Sequence, residues 1–152
     1  MNKPVEFCLN KATEAEIADH LFRCDADFVP SLSGRVEISN YAHKIADKAT
    51  RFEAWAEGVL VGLVAVYCND SECHVAYITS VSMLQEWKGR GIASTLMEQC
   101  IRHAKGPGYE RIELEVDSEN AAAIKLYEKK GFMVIRVSDQ AAIMRFDIGK
   151  NA

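Results

Sequence analysis

Residues 87–94 read Trp-Lys-Gly-Arg-Gly-Ile-Ala-Ser, and this stretch decides how the rest of the chain is interpreted. It lies between an apolar, β-branched segment and a segment with helical spacing, which predicts a strand-to-helix turn. Gly89 and Gly91 let a ligand approach the backbone, because no Cβ intervenes. Their N–H groups, with those of the helix start, form a cradle for an anion, and Lys88 and Arg90 add positive charge. The turn therefore predicts a diphosphate site, although a tight turn without a ligand has the same glycine pattern.

The spacing Gly-x-Gly-x-x-Ser also approaches the fingerprint of dinucleotide-binding domains. Ser94 stands where that fingerprint has its third glycine. A strand meander precedes the turn here, whereas a dinucleotide-binding fold usually starts with it, and too little chain follows to build a doubly wound sheet. The dinucleotide site is therefore the weaker interpretation of the turn.

The segments on either side of the turn predict an α+β fold with one mixed sheet. Three strands that form an antiparallel meander precede the turn: 51–57, 59–67 and 73–83. After the turn, a helix, a strand, a second helix and two strands are expected: 91–104, 111–117, 120–130, 132–137 and 142–148. The chain begins with a strand at 5–9, a helix that Thr13 and Glu16 start with a capping box, and a second helix after Arg35. The predicted order is β-α-α-β-β-β-α-β-α-β-β, with a loop at 25–34.

Composition limits the classes of protein to which the chain can belong. Its 152 residues are 49% hydrophobic and 26% charged, which is typical of one globular domain. The formal net charge of −4 argues against a general nucleic-acid binder. No apolar run approaches the about 18 residues of a membrane span, and the first residues lack a signal-peptide pattern. We therefore expect a cytoplasmic protein that acts without a membrane or nucleic acid.

The five cysteines are odd in number and scattered, as expected for reduced thiols. Cys68, Cys73 and His74 lie close in sequence and could in principle bind zinc. Their spacing is not a usual zinc pattern, and a fourth ligand is not evident. The sequence therefore predicts strand residues that flank a turn, and no metal site.

Two motifs resemble those of the GNAT superfamily of acetyltransferases. Lys88 to Ala93 resembles the cofactor motif Gln/Arg-x-x-Gly-x-Gly/Ala, with Lys at the first position, which keeps the charge but loses the planar fork of arginine. Residues 120–132 read Asn-Ala-Ala-Ala-Ile-Lys-Leu-Tyr-Glu-Lys-Lys-Gly-Phe and resemble the motif Asn-x-x-Ala-x-x-Leu-Tyr-x-Lys-x-Gly-Phe. An amphipathic helix with a glycine cap has the same spacing. The resemblance covers residues 51–148.

The resemblance implies a GNAT-like fold that binds acetyl-CoA as a co-substrate. One domain over 1–152 would then have acceptor-side helices in 1–50 and a cofactor-binding core in 51–148. The backbone of the strand that ends near Val81 and Met83 would bind the pantetheine arm. Asn120 would bind the arm as well, and Tyr127 would lie near the sulfur and protonate the leaving thiolate. The backbone around the turn would hold the diphosphate, which assigns to the cofactor Lys88, Gly89, Arg90, Gly91, Ile92, Ala93 and Ser94.

The family's direct attack by an amine requires a base, because an alkyl amine has a pKa of about 10. A carboxylate on the strand before the turn often serves in the family, but here that strand has no acid after Glu72, and Tyr77 stands at the expected position. His74, Tyr77 and Thr79 alternate and should share a face, so His74 or Tyr77 could act as base or water relay. His74 has a suitable intrinsic pKa, although a surface histidine at a strand start is the simpler alternative.

Acceptor contacts are expected from the first helices and their connection. Arg35 could clamp a carboxylate or a phosphate, although it could equally be a surface arginine. The candidate acceptor residues are Phe28, Ser33, Arg35, Tyr41 and Thr79.

The predicted function is acetyl transfer to a small-molecule amine such as an amino sugar, an amino acid or a polyamine. A protein or peptide acetyltransferase and a non-catalytic acyl-CoA-binding module are the alternatives. The last two strands could also pair between subunits and form a homodimer.

Overall fold

The computed structural model describes residues 4–28, 31–68, 74–106 and 108–148, and in these ranges the predicted order of elements is confirmed. The strands are β1 Glu6–Leu9, β2 Thr50–Ala56, β3 Val59–Tyr67, β4 Val75–Met83, β5 Arg111–Asp117, β6 Met133–Val137 and β7 Ala141–Asp147. The helices are α1 Glu14–Cys24, α2 Ile38–Lys48, α3 Ile92–Lys105 and α4 Ala121–Lys129. Among the described residues, none of the helices is long and apolar enough to cross a membrane.

The strands form one mixed sheet in the order β1-β2-β3-β4-β5-β7-β6. The β4–β5 pair is parallel, and the other neighbours are antiparallel, so the predicted α+β class is confirmed. Because β1 pairs with β2, the expected acceptor-side segment 1–50 contributes a strand to the same sheet as the expected cofactor core.

Helices cover both faces of the sheet, because each presents one apolar stripe. Leu96 and Met97 of α3 are fully buried on one face, and Ile17 of α1 and Ile45 of α2 are fully buried on the other. The predicted capping box starts α1: the Thr13 hydroxyl accepts from the Glu16 N–H at 3.2 Å, and the Glu16 carboxylate accepts from the Thr13 N–H at 2.9 Å. The helices therefore pack on the sheet with the apolar faces that their sequence periodicity predicted.

A buried carboxylate ties the start of α1 to the sheet. Glu53 of β2 is 0% exposed, and its side chain accepts from the N–H groups of Lys11 and Ala12 at 3.0 and 3.1 Å. Trp55 Nε1 donates to it at 3.0 Å and Arg51 Nε at 3.2 Å. A buried charge requires partners of this kind, so this cluster has a structural role.

The two halves of the sheet separate beyond the middle of β4. The β4–β5 pairing extends only over Val75–Ile78 and Arg111–Leu114. On the other side of β4, Ile78 faces Val66 and Ser80 faces Ala65, so Thr79 is an extra residue that forms a β-bulge. The bulge redirects β4 where its pairing with β5 ends, and the two strands enclose a gap.

Several element ends differ from the sequence prediction. The segment expected to be a loop at 25–34 contains 3-10 turns at Asp25–Asp27 and Leu32–Gly34. The second helix begins at Ile38, where the Glu37 carboxylate accepts from the Asn40 N–H at 2.6 Å. β4 begins at Val75, and His74 before it has a positive φ of 54°. The predicted alternation along β4 is therefore wrong for His74, and Cys73 lies outside the described residues.

β6 forms one edge of the sheet, and all five of its residues are exposed. Four of them are apolar, which is the pattern that suggested pairing between subunits. The homodimer stays a prediction.

Candidate active site

A cavity of about 580 Å³ occupies the gap between β4 and β5. Three parts of the chain contribute walls: the connection between α1 and α2, the turn at the start of α3, and the first turns of α4. The cavity is therefore built where sheet pairing fails, which is a common position for ligands in α/β proteins.

The turn before α3 borders this cavity with Gly89 and Gly91. Gly89 and Gly91 both have φ of +79°, a conformation that residues with a Cβ rarely adopt, and the position of an added Cβ meets nothing within 4 Å. Gly91 is the N-cap of α3, and a side chain does not cap the helix there. The helix-start N–H groups are therefore left for an external acceptor, as an anion site requires.

The side chains of the turn divide between the cavity and the surface. Lys88, Ile92, Ala93 and Ser94 line the cavity together with Gly89 and Gly91. Arg90 does not line it: its guanidinium carbon lies 4.6 Å from the Trp87 ring centroid, and its Nη2 donates to the Glu86 carbonyl at 3.2 Å. Lys88 is thus the side-chain cation of the turn that faces the expected diphosphate.

Helix α4 and its N-cap contribute Tyr127 and Asn120 to the lining of the cavity. Asn120 is the N-cap, and its side-chain oxygen accepts from the Ala123 N–H at 3.2 Å. Tyr127 is 6% exposed, and its ring packs against Phe132 with centroids 6.1 Å apart. Burial raises the pKa of the Tyr127 phenol to about 12, so its proton is retained at neutral pH.

The residues of β4 beyond the bulge line the cavity along its length, among them Val81 and Met83. Ser80 also lines it, and its hydroxyl is buried without a hydrogen-bond partner among the described residues. An unpartnered buried hydroxyl is a group that a ligand can satisfy. The sequence carries no signal that separates Ser80 from an ordinary strand serine.

Phe28, Arg35 and Thr79, which are expected to contact the acceptor, all line the cavity and define its expected acceptor side. Tyr41 lies behind Thr79 and donates its hydroxyl to the Thr79 carbonyl at 2.6 Å, so it supports the bulge and does not line the cavity. Ser33 does not line it either, and its N–H and hydroxyl both donate to Asp25 at 2.7 Å.

His74 and Tyr77 do not line the cavity. His74 precedes the paired end of β4, where Val75 lies opposite Arg111, and the cavity begins three residues after Val75, at Ile78. Tyr77 is closer, and burial followed by the charges of Glu115 and Glu113 raises the pKa of its phenol. A high phenol pKa opposes a role as base at neutral pH.

The structure brings a carboxylate into the cavity that sequence reasoning missed. Glu115 of β5 is exposed and lines the cavity. The family resemblance points to β4 for the base, whereas β5 runs parallel to β4 and reaches the same gap. The strict alternation of β5 could have signalled it, because Leu114 and Val116 point into the core and Glu115 points to the other face.

A match to a protein family accompanies this geometry. The sequence profile of the Acetyltransferase (GNAT) family matches residues 15–132. The chain belongs to the GNAT acetyltransferase family. The match includes both motifs that carried the resemblance, at the start of α3 and along α4.

GNAT relatives of this chain act on acceptors of different kinds. This chain is 33% identical over 99 residues to the L-amino acid N-acetyltransferase AaaT of Escherichia coli. The match covers 62% of this chain and 60% of that protein. The chain is 31% identical over 83 residues to the N-alpha-acetyltransferase MAK3 of Arabidopsis thaliana, covering 54% and 44%. An uncharacterized N-acetyltransferase of Methanocaldococcus jannaschii is 35% identical over 85 residues, covering 53% and 38%. The matches to the Arabidopsis thaliana and Methanocaldococcus jannaschii proteins thus span less than half the length of each relative.

Solved GNAT structures have the same fold over nearly the whole chain. The ribosomal-protein-S18-alanine N-acetyltransferase of Escherichia coli superposes with a TM-score of 0.75 at 19% identity, covering 95% of this chain and 94% of that one. The PaiA N-acetyltransferase of Thermoplasma acidophilum, solved in complex with coenzyme A, has a TM-score of 0.73 at 16% identity, covering 95% and 99%. At these identities, the likeness extends to the fold alone.

One Cys-His pair borders the cavity of this GNAT chain, and its spacing of four residues on α1 was not recognised in the sequence. Cys24 lines the cavity, and its sulfur lies 3.7 Å from Nε2 of His20. Burial raises the pKa of the Cys24 thiol to about 12 and lowers the pKa of His20 to about 4. Both groups are therefore neutral at pH 7, which opposes a thiolate nucleophile.

Two further hydrogen bonds hold the His20 ring. Nδ1 lies 3.0 Å from the Leu60 carbonyl, which can only accept, so Nδ1 carries the hydrogen. Nε2 then accepts from the Ser82 hydroxyl at 2.9 Å. The ring links α1 to β3 and β4 beside the cavity.

Proposed function

We propose that this chain transfers the acetyl group of acetyl-CoA to the amine of a small molecule by direct attack. The observation that carries the proposal is a single cavity that contains an uncapped helix start, a proton-bearing Tyr127 and the carboxylate of Glu115. An anion site, a proton donor and a proton acceptor are the three groups that the reaction requires.

The chain's residues fit acetyl-CoA, which supplies the acetyl group as an activated thioester. The diphosphate would accept from the N–H groups between Gly89 and Ala93, with Lys88 beside it. The pantetheine arm would lie along β4 beyond Thr79, where β5 no longer pairs with that strand. Asn120 borders the same path. The fit rests on the free backbone donors and the length of the gap.

Glu115 is the base in this proposal. Asp27, Glu115 and Asp117 are the carboxylates among the described cavity residues. Asp27 pairs with Lys88, and Asp117 accepts from the Glu119 N–H at 2.8 Å. Glu115 is thus left to accept a proton from the acceptor ammonium, directly or through one water.

Tyr127 is the acid in this proposal. A phenol with a pKa of about 12 is protonated at neutral pH, so Tyr127 has a hydrogen to donate to the leaving thiolate. Tyr127 lines the same cavity as Glu115, so the Tyr127 proton would pass to the sulfur while Glu115 removes a proton from the nitrogen. The second proton that the nitrogen loses as the amide forms would return to the Tyr127 phenolate, and Glu115 would release its proton to solvent, so both groups regain their starting protonation states.

A small acceptor is favoured over a protein because the acceptor side has mixed charge. Arg35 and Glu115 border it, whereas a broad acidic groove would favour a basic peptide. The amino-acid acetyltransferase of Escherichia coli, which is matched over 60% of its length, supports the same choice. The cytoplasmic location, the absence of a metal and the homodimer remain predictions from the sequence.

The test is to incubate the protein with acetyl-CoA and a panel of amines and to follow the release of free thiol. Thiol release with one class of amine, and its loss in Glu115→Gln, would support the proposal. Glu113→Gln is the matched control, because Glu113 is on the same strand, pairs with Arg111 Nε at 2.8 Å and does not line the cavity. Tight cofactor binding without turnover on any amine would leave the acyl-CoA-binding module as the function.

A further inference from the structure

Among the described residues, five charged side chains line the cavity: Asp27, Arg35, Lys88, Glu115 and Asp117. Three of these five have partners within the chain. Lys88 and Asp27 form an ion pair at 3.4 Å, and Asp117 accepts from a backbone N–H. Arg35 and Glu115 make no ion pair with the described residues. The acceptor side therefore presents one cation and one carboxylate that await a ligand.

Arg35 is held at the cavity by local structure. It follows the 3-10 turn Leu32–Gly34, and its N–H donates to the Leu32 carbonyl at 2.9 Å. The turn is anchored because Ser33 donates twice to Asp25. The guanidinium carbon lies 5.9 Å from the Phe28 ring centroid, so an aromatic face supports the charged group. This arrangement orients Arg35 without neutralising it.

Arg35 and Glu115 line the same cavity. Both charges also act on the Tyr77 phenol, whose pKa is raised by the charge of Glu115 and lowered by the charge of Arg35. A guanidinium and a carboxylate in one cavity match a molecule that carries both an anion and an amine.

We propose that Arg35 binds an anionic group of the acceptor, a carboxylate or a phosphate, and thereby directs the neighbouring amine to Glu115. The inference rests on the proposed acetyl transfer and narrows its acceptor to amino acids or phosphorylated amines. A guanidinium fork suits both anions, because each offers two oxygens in one plane. A polyamine would bring a second cation against Arg35, so it is disfavoured. The N-terminal amine of a protein is also disfavoured, because the α-carboxyl group of that residue is part of a peptide bond and carries no charge.

The test compares amines that differ only in the anion. Free amino acids are paired with their carboxamides, ethanolamine with O-phosphoethanolamine, and spermidine is added as a polycation. The anionic member of at least one pair should have a kcat/KM at least about tenfold higher, which is about 1.4 kcal/mol. A preference in the first pair alone identifies the carboxylate, and one in the second alone identifies the phosphate.

Three variants separate the role of Arg35 from a structural one. Arg35→Gln should remove the preference, chiefly by raising KM for the anionic amine, and Arg35→Lys should keep part of it. Arg23→Gln is the matched control, because Arg23 pairs with Asp19 on α1 and does not line the cavity. Equal rates within every pair, or a preference that Arg35→Gln retains, would overturn the inference while acetyl transfer stands.

Failure of the proposed function has a different signature. If no amine releases thiol, acetyl transfer is refuted, and calorimetry with N-acetylmethionine and its amide in the presence of coenzyme A still tests Arg35. Tighter binding of the acid than of the amide, lost in Arg35→Gln, would support the anion site. Equal binding of the two would refute it.

Discussion

The carboxylate of Asp27 lies 3.4 Å from the ammonium of Lys88, so an ion pair joins the connection after α1 to the turn that starts α3. The diphosphate of coenzyme A would compete with Asp27 for Lys88 and would be repelled by the same carboxylate. Asp27→Asn is therefore expected to tighten coenzyme A binding two- to fivefold, in line with the about 0–1 kcal/mol of an exposed pair. Calorimetry measures the dissociation constant. Asp19→Asn, which breaks the Arg23 pair on α1, should leave it unchanged. Weaker binding in Asp27→Asn would show that the carboxylate helps the cofactor.

Gly91→Ala is expected to weaken coenzyme A binding at least tenfold. The added Cβ strains a φ of +79° by about 1–3 kcal/mol and shifts the N–H groups that face the diphosphate. Gly58→Ala is the matched control, because Gly58 has a φ of +77° in the β2–β3 turn and its added Cβ also meets nothing within 4 Å. Both variants should lose similar stability in thermal unfolding, and only the first should lose affinity. Equal affinities of the two variants for coenzyme A would show that the cofactor does not bind at this turn.

Tyr127→Phe is expected to lower kcat about 100-fold or more, because it removes the proposed proton donor and leaves the ring packing on Phe132. The dissociation constant of coenzyme A should change little. Tyr109→Phe supplies the control, since that hydroxyl donates to the Cys68 carbonyl and does not line the cavity. Stopped assays with the preferred amine measure both rates. A Tyr127→Phe enzyme with the wild-type kcat would exclude the phenol as the acid.

His20 predicts a loss of stability in acid. Burial lowers its pKa to about 4, whereas the unfolded chain protonates near its ordinary value of about 6.5. The unfolded state therefore binds the proton first, and stability is full above about pH 6.5 and falls as the pH drops towards 4. The loss attributable to His20 is about 3 kcal/mol at pH 4.

Urea unfolding at a series of pH values measures this effect. His20→Gln should be less stable than the wild type at pH 7, because it loses the bonds to Leu60 and Ser82, and the difference should shrink at pH 4. His43→Gln, which changes an exposed histidine beside Glu14, should keep the wild-type slope. Parallel curves for His20→Gln and the wild type would contradict the linkage.

Most of the fold was predictable, because its elements carry strong local signals. β3 and β5 begin and end as the alternation and apolar runs predicted. The capping box at Thr13 fixed the start of α1. The bulge at Thr79 was not predictable, because it depends on the register with β3 and not on the residues of β4. That bulge also limits the side-chain alternation along β4.

Most of the residues predicted for the cofactor, and three of those predicted for the acceptor, line the cavity. Glycines at a strand-to-helix turn indicate a backbone that a ligand can approach, so Gly89 and Gly91 predict this turn from the sequence alone. Arg90 was predicted to face the ligand, but it stacks on Trp87, a choice of rotamer that the sequence does not carry. Glu115 was missed because it enters the cavity through the parallel pairing of two strands that are distant in sequence.

The limited pairing of β4 with β5 also has a mechanical consequence. Strands β1 to β4 form one plate and strands β5 to β7 another, and four residue pairs join them within the plane of the sheet. The polypeptide crosses this seam once between β4 and β5, through α3. The in-plane stiffness of the sheet is therefore lowest at the cavity. A molecule that lies in the gap and forms hydrogen bonds with the β4 backbone would add a further connection between the two groups of strands.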